Sequence, residues 1–231
     1  MREIDIERNI REVTRRIALA CERTGRSPQE VTLVAVTKTV GPAAIQAAHE
    51  AGVGHFGENR VQEAKVKLGE LGSIRDRSTW HMVGHLQTNK VKTATEIFDI
   101  IQSVDSLRLA RFLSLHAVGV GLIRPLPILL EVNISGEATK GGFSAGEVPQ
   151  AMKEIGRMPN LEIKGLMTIA PLASDPEDVR PVFRHLRGLR DSICLEHLSM
   201  GMTDDFEVAI EEGATMVRIG RAIFGERRGE S

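Results

Sequence analysis

Short apolar runs alternate with longer amphipathic stretches along nearly all of the 231 residues. Residues 4–24 place Ile6, Ile10, Val13, Ile17 and Ala20 at steps of three and four, which predicts an amphipathic helix. VTLVAVT (31–37) is a β-branched run that predicts a strand ending at Lys38, and Gly41-Pro42 then opens the helical segment AAIQAAHEAG. HFGEN (55–59) precedes the helical RVQEAKVKLGEL, and after a polar gap TWHMVG (79–84) precedes a helical 87–97. DIIQSV (99–104) precedes SLRLARFLSLHAVG, PILLEVN (127–133) precedes SAGEVPQAMKEIG, and EIKGLMT (162–168) precedes a helical 176–193. LEHLSM (195–200) precedes DDFEVAIEEG, and MVRIG (216–220) precedes AIFG.

Eight strand candidates, most followed by a helical pattern and with a helix before the first, predict a parallel sheet covered by helices. Eight repeats in a chain close to the typical ~250 residues predict a closed (β/α)8 TIM barrel with an extra N-terminal helix. An open doubly wound sheet is the alternative, but it usually has fewer strands and often a Gly-rich first turn, which is absent here. No linker or low-complexity tract divides the chain, so one domain over 1–231 is expected.

Composition narrows the chemistry. At 42% hydrophobic and 26% charged the chain reads as globular, and a net charge of −1 leaves no electrostatic footprint for nucleic acid. No run reaches the roughly 18 apolar residues of a membrane span, and MREIDIERNIREVTRRIALA lacks the apolar core of a signal peptide. Cys21 and Cys194 form no CxxC pair, which suits a reducing cytoplasm; Cys194 reads as a small apolar helix residue. The absence of any tyrosine excludes a phenol from this chain as acid, base or nucleophile.

In a barrel of this kind the carboxyl ends of the strands face the active-site mouth. Those ends carry Lys38, Asn59, His81 to His85, Asn133, Met167-Thr168, Ser199-Met200-Gly201 and Arg218-Ile219-Gly220-Arg221. Lys38 is either a solvated lysine at a strand end or a desolvated amine able to condense with a carbonyl; position alone leaves both open. The turns around Gly201 and Gly220 follow the seventh and eighth strands, where this fold commonly binds phosphate. There glycine lets backbone N–H groups approach an anion and Ser199 can donate a hydroxyl; the plainer reading is two tight turns. Alternation puts Arg218 opposite in direction to Val217 and Ile219, hence inward, with Glu58 or Glu131 as the salt-bridge partner of a purely structural role. His81 and His85 are not on one helix face, so hydrogen-bonded or core roles are expected rather than metal ligation. The acidic segment SDPEDVR (174–180) has helix-starting chemistry.

The segments VAVTK (34–38), HFGENRVQEA (55–64), WHMVGHLQTNKVK (80–92), SVDS (103–106), EVNISGEATKGGF (131–143), GLMTIAP (165–171) and LSMGMTDDFEVAIEEGATMVRIGRAIFG (198–225) resemble the pyridoxal phosphate homeostasis proteins over nearly the whole chain. The resemblance implies a barrel like the N-terminal domain of alanine racemase and of eukaryotic ornithine decarboxylase, without their second β domain. It implies that Lys38 carries pyridoxal 5′-phosphate (PLP) as an internal aldimine and that Arg218 faces the pyridine nitrogen. It further implies that Ser199, Met200, Gly201, Gly220 and Arg221 surround the phosphate, with Asn59 beside the ring.

An arginine beside that nitrogen acts only as a donor and leaves the ring neutral, a poorer electron sink than a pyridinium. Two-base racemases that use this arrangement add a tyrosine, and none exists here. The expected function is therefore a non-enzymatic carrier in vitamin B6 homeostasis: it holds PLP, keeps the free aldehyde low and delivers it, with apo PLP-dependent enzymes as partners. A minimal PLP-dependent racemase with Lys38 as single base is the alternative. A weaker one is a phosphate-sugar enzyme forming a substrate imine at Lys38. A monomer is expected, as are a mobile Gly-rich loop over 135–143 and Lys140 as a second, weaker PLP contact.

Overall fold

The computed structural model describes residues 4–117, 124–137 and 140–226, and all eight strand runs form within them. They are β1 (Thr32–Val36), β2 (His55–Glu58), β3 (Thr79–Met82), β4 (Ile100–Val104), β5 (Leu126–Glu131), β6 (Leu161–Met167), β7 (His197–Ser199) and β8 (Met216–Ile219). Each pairs in parallel with its sequence neighbour, and β8 closes the barrel on β1 with Val34 opposite Arg218 and Ala35 opposite Ile219. The expected closed barrel is observed, and not the open sheet.

The helices are α1 (Ile6–Arg23), α2 (Pro42–Glu50), α3 (Val61–Glu70), α4 (Ser73–Asp76), α5 (Val91–Ile97), α6 (Leu107–Ala117), α7 (Val148–Ile155), α8 (Arg180–Ser192), α9 (Phe206–Glu211) and α10 (Arg221–Phe224). α1 is the extra N-terminal helix; the Asp5 carboxylate caps it by accepting from the Arg8 amide at 2.9 Å, and its buried stripe is Ile10, Val13, Ile17, Ala20 and Cys21. α4 lies in the segment that the polar pattern leaves without structure. Cys194 does not lie inside a helix: it is exposed just beyond α8, with φ of +52°. Residues 118 and 119 of the helix expected over 106–119, and 138 and 139 of the Gly-rich loop, lie outside the described residues.

Strand alternation sorts side chains into two layers. Ala35, Phe56, Trp80, Ile101, Ile128, Leu166, Leu198 and Val217 point outward and join the helices in the main core. Val34, Leu129, Met167 and Met216 form a smaller apolar group inside the barrel. A polar group shares that interior: His81, Gln102, Ser199 and Arg218 take the inward direction and are all buried.

Candidate cofactor site at the barrel mouth

Four neighbouring staves, β7, β8, β1 and β2, bring the expected site residues to one side of the mouth. Lys38 follows β1 with the inward parity of Val34 and Val36 and is half-buried. Asn59 follows β2, half-buried, so close to β3 that a Cβ on Gly84 would meet its carbonyl oxygen at 2.5 Å. Gly201 needs to be glycine: its φ is +91°, and a Cβ would lie 2.6 Å from Ala209 and 2.9 Å from the Phe206 backbone on α9. Gly220 caps α10, where a Cβ would sit 3.1 Å from the Val36 carbonyl. The first amides of that turn, including those of Gly220 and Arg221, have no carbonyl behind them to bond within the turn.

Three of the expected contacts differ in detail from the sequence reading. Met200 buries its side chain in the main core and gives its amide to the Met216 carbonyl at 3.2 Å, so it frames the turn without a spare donor. The Arg221 guanidinium is half-exposed and engages both oxygens of Asp204 at 2.5 Å. Ser199 accepts from Arg218 at 2.6 Å and gives its own proton to Gln102 Oε1 at 2.6 Å, inside the barrel.

Arg218 is inward, as alternation requires, but neither Glu58 nor Glu131 is its salt-bridge partner. It donates to Ser199 Oγ and to the Thr168 carbonyl at 2.8 Å, while Glu58 pairs with Lys67 at 2.9 Å. Burial pushes the Arg218 guanidinium down to about 10, opposed by the charges of Asp205 and Glu131, and it remains a cation at neutral pH. The polar line continues from Gln102 Nε2 to His81 Nδ1 at 2.9 Å and from His81 to His55 at 3.1 Å. Burial, then His55 and His197, hold His81 down to about 3, so it is neutral. With Ser199 donating to its oxygen, Gln102 donates through nitrogen, which leaves His81 protonated on Nε2 and donating to His55. Every donor in this line therefore points away from Arg218, and the dipoles present their negative ends to its charge.

Lys67, Glu63 and Gln102 are residues that strand-end reasoning did not find. Lys67 Nζ donates to the Thr37 carbonyl at 2.6 Å, to Glu58 Oε1 at 2.9 Å and to Glu63 Oε1 at 2.6 Å. Thr37 Oγ1 also donates to Glu58 Oε1, at 2.7 Å, while Glu58 Oε2 is buried with no protein partner. Burial pushes the Glu58 carboxyl up, against Lys67 and Thr37, which pull it down. The i, i+4 spacing of Glu63 and Lys67 was a visible signal, and so was a lone glutamine in the apolar strand IIQSV.

The opposite side of the mouth carries Glu131, whose carboxyl burial and Asp105 both push up, and the contact of His85 Nδ1 with Asp105 Oδ2 at 3.0 Å. A cavity of about 150 Å³ there is lined by Glu131, Asn133, Lys140 and Ile169. Lys140 pairs with Glu137 at 2.7 Å and reaches the Ile169 carbonyl at 3.4 Å. No helix among the described residues is long and apolar enough to cross a membrane.

The family model described as alanine racemase, N-terminal domain, matches residues 6–228. The pyridoxal phosphate homeostasis protein of Aquifex aeolicus is 44% identical over 222 residues, covering 94% of this chain and 96% of that protein. The crystal structure of an unknown protein from Bifidobacterium adolescentis superposes with a TM-score of 0.89 at 39% identity, covering 95% of this chain and 94% of that one. PipY of Synechococcus elongatus PCC7942, solved with PLP bound, superposes with a TM-score of 0.78 at 37% identity, covering 92% of this chain and all (100%) of the other. Motif, barrel and full-length identity agree: the chain belongs to the pyridoxal phosphate homeostasis protein family, built on the barrel of the alanine racemase N-terminal domain.

Proposed function

We propose that this protein holds PLP at Lys38 and buffers or delivers it within the cell, without turning over a substrate. The observation that carries the reading is Arg218: a buried guanidinium held by a hydroxyl and a carbonyl, with no carboxylate within salt-bridge distance among the described residues. Such a group leaves positive charge and further N–H donors for an acceptor in the mouth, and a neutral pyridine nitrogen is one. PLP supplies an aldehyde that condenses with a primary amine, and a ring whose electron demand rises when its nitrogen is protonated.

Lys38 is the amine on the same wall. The turns at Gly201 and Gly220, with the amide of Arg221, would take the phosphate; Ser199 acts by holding Arg218, and Met200 by shaping the turn. Asn59 flanks the ring position. Arg218 cannot yield a proton at neutral pH, so it keeps the ring nitrogen unprotonated and discourages carbanion chemistry. With no tyrosine in the chain, a second base of the racemase kind is lacking, and the names of the relatives point the same way. The same reading takes 1–231 as one PLP-binding domain, monomeric and cytoplasmic, with apo PLP-dependent enzymes as recipients.

The purified protein is expected to show a visible chromophore that borohydride bleaches and fixes to Lys38, and Lys38→Ala is expected to lose it. An unchanged spectrum in that variant removes the assignment. Rapid α-proton exchange of L-alanine in deuterium oxide by the wild type would establish a racemase-like catalyst instead.

A further inference from the structure

Lys38 occupies a corner of unusual construction. The Thr37 carbonyl accepts the Val40 amide at 2.9 Å, so residues 37–40 form a tight turn with Lys38 at its second position. The third position has φ of +64°, a conformation that glycine or asparagine ordinarily supplies, yet it holds the β-branched Thr39. Two side chains from α3 brace this turn. Glu63 Oε1 accepts the Thr39 amide at 2.5 Å, and Lys67 Nζ grips both the Thr37 carbonyl and Glu63 at 2.6 Å. Behind them Glu58, fully buried on β2, takes both Thr37 Oγ1 and Lys67. The backbone is thus anchored one residue before Lys38 and one residue after it, by groups on the outer side of the barrel.

We propose that Glu63 and Lys67 are positioning residues that clamp the turn around Lys38, so that its amine enters the mouth in one orientation. This rests on the reading of Lys38 as the PLP-holding residue. A strained position is kept only where the surroundings over-determine it, and strain gathers where geometry serves function. Pre-ordering the lysine lowers the ordering cost of holding PLP and slows its release.

Lys67→Met strands Glu58 and is a poor sole test, so Glu63 variants carry it; Glu63 is a quarter exposed. In PLP-free Glu63→Ala, hydrogen exchange at the Thr39 amide is expected to accelerate while the thermal midpoint stays within about 3 °C of wild type. After loading, PLP dissociation from that variant is expected to be about tenfold faster, the loss of one strained constraint. Glu63→Gln, which can still accept the Thr39 amide, is expected to stay near wild type. Thr39→Gly added to Glu63→Ala is expected to recover most of the loss, since glycine adopts φ of this sign without strain. Wild-type release from Glu63→Ala, beside a Lys38→Ala control that loses the bleachable chromophore, overturns the clamp alone. A wild type that forms no adduct at Lys38 overturns the cofactor reading and the clamp together.

Discussion

Lys67, on α3 against β2, and Arg218, inside the barrel, are both cut off from solvent, yet only the lysine meets carboxylates within salt-bridge distance. Lys67 is neutralised by Glu58 and Glu63 within 2.9 Å and 2.6 Å, on the outer side of the strands. Arg218 is held by a serine hydroxyl, a backbone carbonyl and, through Gln102, a line of oriented neutral dipoles. A buried charge with its counter-charge beside it is spent on architecture. A buried charge held by dipoles, with carboxylates only beyond salt-bridge distance, keeps more of its field for whatever enters the mouth. Under this contrast, Lys67 should matter most to folding and Arg218 most to binding.

The largest effect is expected for Lys67→Met, which leaves Glu58 buried without its cation and should cost about 3–5 kcal/mol in urea unfolding. A cost below about 1 kcal/mol would mean that the pair is not ionic in the folded protein, and the contrast would collapse.

The dipole line gives the second test, through its one titratable link with a large shift. His81 is held neutral down to about 3, against 6.5 for a free imidazole. A depressed folded-state value means stability is complete above about 6.5 and is lost progressively as pH falls from there toward 3. Glu58, Glu131 and Asp205 are pushed up by burial and act in the opposite sense, so the comparison is with His81→Gln, which shares them. Between neutral pH and pH 4 the wild type should lose on the order of a few kcal/mol relative to that variant. Parallel pH curves for the two proteins would show that the imidazole is not buried in neutral form.

The smallest effect on folding is expected for Arg218→Met. The substitution strands no carboxylate, only the Ser199 hydroxyl and the Thr168 carbonyl as unpaired acceptors, so unfolding should cost about 1–3 kcal/mol. PLP affinity should fall about tenfold or more, the value of a charge-assisted hydrogen bond. Destabilisation as large as that of Lys67→Met would make Arg218 a structural residue like its counterpart.

Much of this molecule is legible in its sequence. The eight strands stand out because β-branched runs and their flanking amphipathic helices are local patterns, and a barrel follows from their number. The placing of Lys38 and of the turns at Gly201 and Gly220 at the mouth was legible because each follows the carboxyl end of a predicted strand. The inward direction of Arg218 needed only its two apolar neighbours. Its protein partners did not follow: the purely structural reading offered Glu58 or Glu131, but Glu58 has the outward parity and turns to Lys67, while Ser199 and Thr168 lie on the adjacent rim. Met200 illustrates the same limit, since a motif position says nothing of whether an amide is already committed.

By itself, then, the sequence determined the elements, their order, the direction each side chain takes from its strand and the lysine at the mouth, all set by interactions within a few residues. The tertiary assembly of the barrel decided the rest. It brought residue 218 against 199 and 168, joined 102 to 81 and 55, and laid α3 behind the turn that carries Lys38. Those pairings depend on register and stagger around a closed sheet, which no local periodicity encodes.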